Sequence, residues 1–431
     1  MRLIDCRDLE TQDYSGVLPR GEFDVSKALE AVTPICEAVR SEGEVAIRRF
    51  SEKFDRVVPE NLRVDPSYAA QCAEDLEPEL REALMVSIQR RRIVSGYESL
   101  PLETKVNLGA GAEVTIRSIP VDRVGLYVPG GLAPLASSVI MNVVPAQAAG
   151  ISSLAVASPP QANGLPHPTI LAVCHLLGVE EIYAVGGAQA VAMFAYGVEG
   201  LCKPVDMITG PGNIYVVAAK RLVKGIVGID SEAGPTEIGI LADENANPTF
   251  LAVDLLSQAE HDPQAGSVLV TTSRDLVDKV EAELAEMVET TKHSERVKTA
   301  LGGTQSAVIL VRDLAQGIDV VNAYAAEHLE IHTRDASNVA RMITHAGAIF
   351  VGDYSPVSLG DYSAGSTHVL PTSGMARHSS GLTARAFFKT VHVITYDKSA
   401  LCEIAQGIEA FAMAEDLPGH ATAVTVRRLN G

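Results

Sequence analysis

The sequence predicts an α/β protein with two parallel sheets, a helical lead-in and a small helical tail. Three observations carry that expectation. Short apolar runs alternate with helix-patterned runs from about residue 113, and a second such block covers 237–352. Short connections join them, which is the signature of parallel βαβ units. At 431 residues the chain is also too long for one ordinary core, so two or more domains are expected.

Taken in order, residues 27–100 read as mostly helical, because "ALEAVTPICEAVRSEGEVAIRRF" carries its apolar residues at three-and-four spacing. Four strand–helix pairs follow: "RVGLYV" with "SSVIMNVVPAQAAG", "SLAVAS" with "PTILAVCHLLG", "EIYAVG" with "AQAVAMFAYG", and "VDMITG" with "NIYVVAAKRLV". In the second block "EIGILAD", "SVLVTT", "SAVILV" and "AGAIFVGD" read as strands with helices between them. The stretch 353–380 breaks the rhythm; rich in Gly, Ser, Pro and His, it is too long for a mere connector and reads as a functional loop. A strand-like "KTVHVITYD" and two terminal helices form an appendage beginning near 381. No fixed-period repeat or low-complexity tract interrupts the pattern.

Composition narrows the function. An apolar fraction of 47% with 35 glycines fits a compact soluble enzyme. Tryptophan is absent and the formal charge is −19, which disfavours base stacking and repels phosphate backbones and anionic membranes; no nucleic-acid or membrane partner is expected. The six cysteines are scattered without a CxxC pair and read as thiols of a reducing cytoplasm. "MRLIDCRDLE" lacks a signal-peptide core, and the most apolar stretch is broken by Asn142, Pro145, Gln147 and Gly150, so it reads as helix, turn and strand rather than a span.

The tripeptide AEH occurs twice, at 259–261 and 326–328. In the first, Gln258 and His261 stand three apart near a helix end at Asp262-Pro263, so an amide oxygen and an imidazole nitrogen can share one divalent ion. In the second, Glu327 and His328 are adjacent where a helix runs into a strand, a pair suited to general-base work and water activation. Each also reads as ordinary helix capping, and the residues alone leave both open. Asp361 in "SLGDYSAG" offers a further carboxylate or an Asx-turn. His368 lies in the same loop, and Glu415 and His420 flank Pro418-Gly419. No GxGxxG follows a strand. The glycine turns "VGLYVPGG", "VGGAQA" and "TGPGN" nevertheless sit at strand ends, where backbone amides can meet a dinucleotide phosphate or serve only as tight turns.

The order and spacing of "VGLYVPGG", "GGAQAVA", "DMITGPGNIYVVAAKR", "AGPTEI", "SQAEHD", "AEHLEI", "PVSLGDYSAGSTHVLPT", "SSGL" and "AEDLPGH" resemble the histidinol dehydrogenase family along essentially the whole chain. The resemblance implies an NAD-dependent, zinc-containing enzyme that oxidises L-histidinol through L-histidinal to L-histidine, the last steps of histidine biosynthesis. It implies one zinc per site on Gln258, His261, Asp361 and His420, and an acid–base pair at Glu327 and His328. Thr236, His368 and Glu415, with His328 and the zinc ligands, would line the substrate. Tyr127, Gln189 and Asn213 would contact the dinucleotide. The implied fold is a pair of incomplete Rossmann-like domains in a domain-swapped homodimer with shared active sites. The expected domains are an N-terminal arm (1–26), a discontinuous α/β domain with the metal and catalytic residues (27–124 and 237–380), a dinucleotide-side α/β domain (125–236) and a C-terminal appendage serving the partner's site (381–431).

Three positions depart from the family pattern. Thr236 stands where many members have Ser, Thr367 precedes His368 where Asn is common, and Leu132 follows "PGG" where a polar residue is usual. They bear on fine contacts, not on the reaction class. The rival readings are a paralogous zinc- and NAD-dependent dehydrogenase of another polar alcohol, such as a sulfonated diol, a metal-dependent hydrolase, and a catalytically silent metal-binding protein. Glu415 and His368 count against the first, and NADH formation from histidinol separates the second.

Overall fold

The structure, a computed structural model, describes all residues except 11–12, 15, 22–24, 131–133, 233 and 431, and the side chain of 430. Leu132 therefore lies outside the described residues. The chain forms two compact units: Met1–Glu98 with Asp122–Ala386, and Ser99–Val121 with Phe387–Gly431.

The first unit opens with strand β1 (Arg2–Asp5) and helices α1 (Val25–Glu42), α2 (Glu44–Phe50), α3 (Pro66–Glu74) and α4 (Pro78–Glu98). Helix α1 buries Val25, Ala28, Val32, Ile35, Cys36 and Val39, the three-and-four stripe its sequence announces. Asp65 caps α3 by accepting the Ser67 amide, with Pro66 at the first helical position. In the second unit, the next stretch forms a hairpin, β2 (Glu103–Gly109) and β3 (Ala112–Pro120). Every residue of β2 is exposed, so the sequence shows no buried face by which the strand could be recognised.

Back in the first unit, β4 (Arg123–Tyr127), α5 (Ala136–Ala148), β5 (Ser153–Ser158), α6 (Pro168–Leu176), β6 (Ile182–Ala184), α7 (Gly187–Tyr196), β7 (Met207–Thr209), α8 (Ile214–Val223) and β8 (Gly228–Ile229) alternate. Their sheet runs β6-β5-β4-β7-β8, all parallel. A second alternation comprises β9 (Glu237–Ala242), α9 (Pro248–Ala259), β10 (Gly266–Thr271), α10 (Arg274–Thr290), α11 (Ser294–Gly302), β11 (Ala307–Leu310), α12 (Leu314–Tyr324), β12 (His328–His332), α13 (Ala336–Met342), β13 (Ala348–Val351) and α14 (Val357–Tyr362). Its six-stranded sheet runs β1-β11-β10-β9-β12-β13, again all parallel. The extreme N-terminus thus supplies an edge strand. Strands β9, β10, β11 and β12 are buried at every residue, as expected where helices cover both faces of a parallel sheet. The architecture is mixed α/β with parallel sheets, as the alternation predicts.

The second unit adds β14 (Phe388–Tyr396), antiparallel to β3, then α15 (Lys398–Ala414) and α16 (Pro418–Asn430). Its sheet order is β14-β3-β2. Among the described residues no helix is long and apolar enough to cross a membrane, and all six cysteines are free.

Candidate active site

Helix α9 ends at Ala259, with Glu260 as its C-cap, slightly before the Asp262-Pro263 break that the sequence suggests. His261 Nδ1 lies 3.0 Å from the Ser257 carbonyl. A carbonyl only accepts, so Nδ1 carries the proton and Nε2 keeps its lone pair. His261 therefore caps the helix and remains available as a ligand; the two readings of the first AEH are compatible. Gln258, 1% exposed, donates through Nε2 to Thr236 Oγ1 at 2.7 Å, while its Oε1 is buried without a partner.

The second AEH follows a helix end rather than closing one. Helix α12 stops at Tyr324, and Ala325 turns the chain at φ 50°, placing Glu327 just before β12 and His328 as its first residue. Glu327 Oε2 accepts from Thr236 Oγ1 at 2.6 Å and from the Glu237 amide at 3.0 Å. Gln258, Thr236 and Glu327 thus form one hydrogen-bonded chain. Burial pushes the Glu327 carboxyl up to about 8 against those two donors, the Asp361 charge adding to the rise and His261 opposing it. His328 Nδ1 lies 3.3 Å from the Glu237 carbonyl, which fixes that nitrogen as the donor and leaves Nε2 buried and unpartnered. Burial lowers the imidazole below its ordinary value, despite the opposing charge of Asp361. The ring is accordingly neutral near pH 7, with a free lone pair, the state a general base requires.

Asp361 sits on the short helix α14, not in an isolated turn. Its carbonyl lies 3.4 Å from His368 Nδ1, and Ser138 Oγ lies 3.1 Å from His368 Nε2. Burial again holds His368 below its usual range. Arg91, fully buried, donates to the Gly365 and Leu382 carbonyls at 3.1 Å each and so ties down both sides of the His368 segment. Thr367 Oγ1 accepts the Val369 amide, a local turn bond. Thr236 supplies the hydroxyl that donates to Glu327. Glu415 caps the end of α15 and His420 lies in the first turn of α16, both in the second unit.

On the other sheet, Tyr127 ends β4 and its hydroxyl accepts the Gly187 amide at 3.2 Å. Helix α7 begins there with no side-chain cap, and the buried Gln189 Nε2 is unpartnered. An uncapped helix N-terminus beside a spare amide donor suits an anionic phosphate. Asn213 caps α8 through Oδ1. Gly210, at φ 116°, holds the adjoining turn against Tyr127, and Lys220 with Asp230 clamps its carbonyl and amide.

The sequence missed Glu237 and Ser138. Glu237, buried beside Glu327, is pushed up to about 7 by burial against Arg20, and Arg20 Nη1 meets it at 3.2 Å. A lone carboxylate opening an apolar strand, "EIGILA", was its available signal. Ser138 is a small polar residue on a buried helix, and nothing in its neighbours marks it.

A parallel two-sheet α/β chain with a buried carboxyl–imidazole pair, and with an amide oxygen and an imidazole nitrogen left unpartnered beside it, has the groups that proton transfer at a polar substrate requires. The histidinol dehydrogenase family profile matches residues 18–428. The chain is 62% identical to a histidinol dehydrogenase from Cutibacterium acnes, over 99% of each chain. It is 60% identical to one from Thermobifida fusca, over 98% of this chain and 97% of that one. It also superposes on the crystal structure of histidinol dehydrogenase from Elizabethkingia anophelis with a TM-score of 0.93 at 31% identity, covering 99% and 98% of the two chains. The chain belongs to the histidinol dehydrogenase family. It is thus an oxidoreductase of histidine biosynthesis, acting on histidinol.

Proposed function

We propose that the chain carries out the NAD-dependent, zinc-assisted, four-electron oxidation of L-histidinol through L-histidinal to L-histidine. The observation that carries this reading is the buried Glu327–His328 pair, with the lone pair of His328 Nε2 free and Glu327 fixed by Thr236. Zinc fits the residues present, because Gln258 Oε1 is a buried oxygen without a partner and His261 has a spare imidazole lone pair. With Asp361 and His420 these make the mixed oxygen and nitrogen donor set that suits it. When bound, zinc would supply a centre for chelating the imidazole and amine of histidinol, and NAD would accept the hydrides. Tyr127, Gln189 and Asn213 would hold the dinucleotide at the strand ends of the first sheet.

His328 Nε2 takes the hydroxyl proton as the carbinol hydrogen leaves as hydride, giving the aldehyde. Glu327, once ionised, removes a proton from the water that adds to the aldehyde carbon. Departure of a second hydride from the resulting hydrate anion leaves the carboxylic acid, which gives up its proton to solvent to become the carboxylate. Thr236, His368 and Glu415 would orient the substrate while these steps occur. The protein would work as a cytoplasmic homodimer, with His420 completing the site of the other subunit; the segment after residue 386 is small for a core of its own, so docking on a second copy is a natural solution.

The division of labour is testable by stepwise kinetics with histidinol and histidinal supplied separately. His328→Asn should suppress histidinol oxidation by about 100-fold or more. Glu327→Gln should slow histidinal oxidation more than histidinol oxidation. Equal losses at both steps in both variants would refute separate roles.

A further inference from the structure

Beneath the site lies a second group of ionisable side chains to which the reaction gives no role. Asp254 on α9 and Glu330 and His332 on β12 are all buried, and ligand atoms from the three lie within 4.8 Å of one another. Glu330 Oε2 is 3.2 Å from His332 Nε2, and Asp353 Oδ1 is 3.4 Å from His332 Nδ1. Both ring nitrogens thus face carboxylates, an arrangement that favours the imidazolium, which has no lone pair to give a metal. Burial works against that charge, yet the Glu330 and Asp353 contacts raise the imidazole above its ordinary value. Among the described residues, no lysine or arginine forms an ion pair with any of the three. Burial and then the Glu330 charge push the Asp254 carboxyl up to about 7.

Glu330 is fully buried and reaches from β12 to α14 and α9; each of these three elements carries a site residue one structural repeat away. Its Oε1 accepts the amide of Val357, the first residue of α14, and Asp361 lies one helical turn further along. Its partner Asp254 lies one turn before Gln258 on α9. Glu330 itself shares a strand face with His328, two residues earlier on β12.

We propose that Glu330 is a positioning residue for the metal site: it fixes Asp361 relative to Gln258 and His261 while touching neither metal nor substrate. The inference rests on the zinc reading given above. Groups that orient metal ligands from behind set affinity as well as geometry.

The test is zinc affinity of the metal-stripped, full-length protein, measured by competition with a chromophoric chelator, alongside KM and kcat for histidinol. Glu330→Leu should bind zinc about 10- to 100-fold more weakly, with kcat recovering in excess zinc. Glu330→Gln, which keeps an acceptor for Val357, should lie near wild type. If Glu330→Leu does not fold, Asp254→Leu removes one partner only and should weaken zinc in the same direction. Either leucine variant folding with wild-type zinc affinity overturns the proposal. So does loss of a second zinc equivalent, which would make the cluster itself a ligand set. A wild-type protein without tight zinc would sink the metal reading itself, and the inference with it.

Discussion

Glu327→Gln should make the metal-free protein more stable, and increasingly so as the pH rises. The carboxyl is buried and pushed from an ordinary 4.5 to about 8, chiefly by loss of solvent. A group whose folded pKa is raised favours folding in its protonated form. Its contribution is complete below the unfolded value and is lost as pH climbs through about 8. At about 1.4 kcal/mol for each tenfold change in proton affinity, the ionised carboxylate costs the fold at most ~5 kcal/mol above that pH. Glutamine cannot ionise, yet its side-chain oxygen can still accept from Thr236 Oγ1 and the Glu237 amide, the two donors that Glu327 Oε2 uses. Urea unfolding of both metal-free proteins should show a gain of about 1 kcal/mol at pH 5.5, growing by several kcal/mol at pH 9. A gain independent of pH, or a net loss at pH 9, would refute the claim that an unsolvated base is held here at the expense of stability.

Two further outcomes follow from the geometry. Gly210→Ala requires a positive φ and a Cβ that would overlap the Tyr127 carbonyl, so it should cost at least ~2 kcal/mol in stability and raise KM for NAD more than KM for histidinol; equal KM values would detach that turn from dinucleotide binding. If His420 completes the site of a partner subunit, co-refolding the inactive His261→Ala and His420→Ala chains should restore activity towards a ceiling of roughly a quarter of wild type, since random pairing would make about half of the dimers mixed, each with one intact site; no recovery despite proven mixed dimers would exclude sharing of His420.

Periodicity made both parallel sheets legible, because their strands are buried on both faces and read as continuous apolar runs separated by helices. It could not reveal the β2–β3 hairpin, whose first strand is wholly exposed, nor that residues 2–5 close the edge of a sheet whose other strands begin at 237. Helix ends were also blurred: Ala325 adopts a left-handed turn that no glycine or asparagine announces. Several residues drawn from motifs lie together: Gln258, Thr236 and Glu327 share one hydrogen-bonded chain, His328 meets the adjoining Glu237 carbonyl, and His368 meets the Asp361 carbonyl. Spacing alone left each of them ambiguous with capping, and His261 shows why, since it caps a helix with one nitrogen and spares the other. The "HLEIH" strand did carry an unused signal. Polar residues at 328, 330 and 332 alternate with Leu329 and Ile331, and all five are buried. That combination marks a polar core face rather than a solvated one.

The most direct test of the account is the stoichiometry of NADH formed per histidinol by the zinc-loaded, metal-stripped and reconstituted protein. Two NADH per histidinol, with turnover abolished by stripping and restored by zinc, is the expected result. One NADH with histidinal accumulating, or turnover indifferent to metal removal, would contradict it.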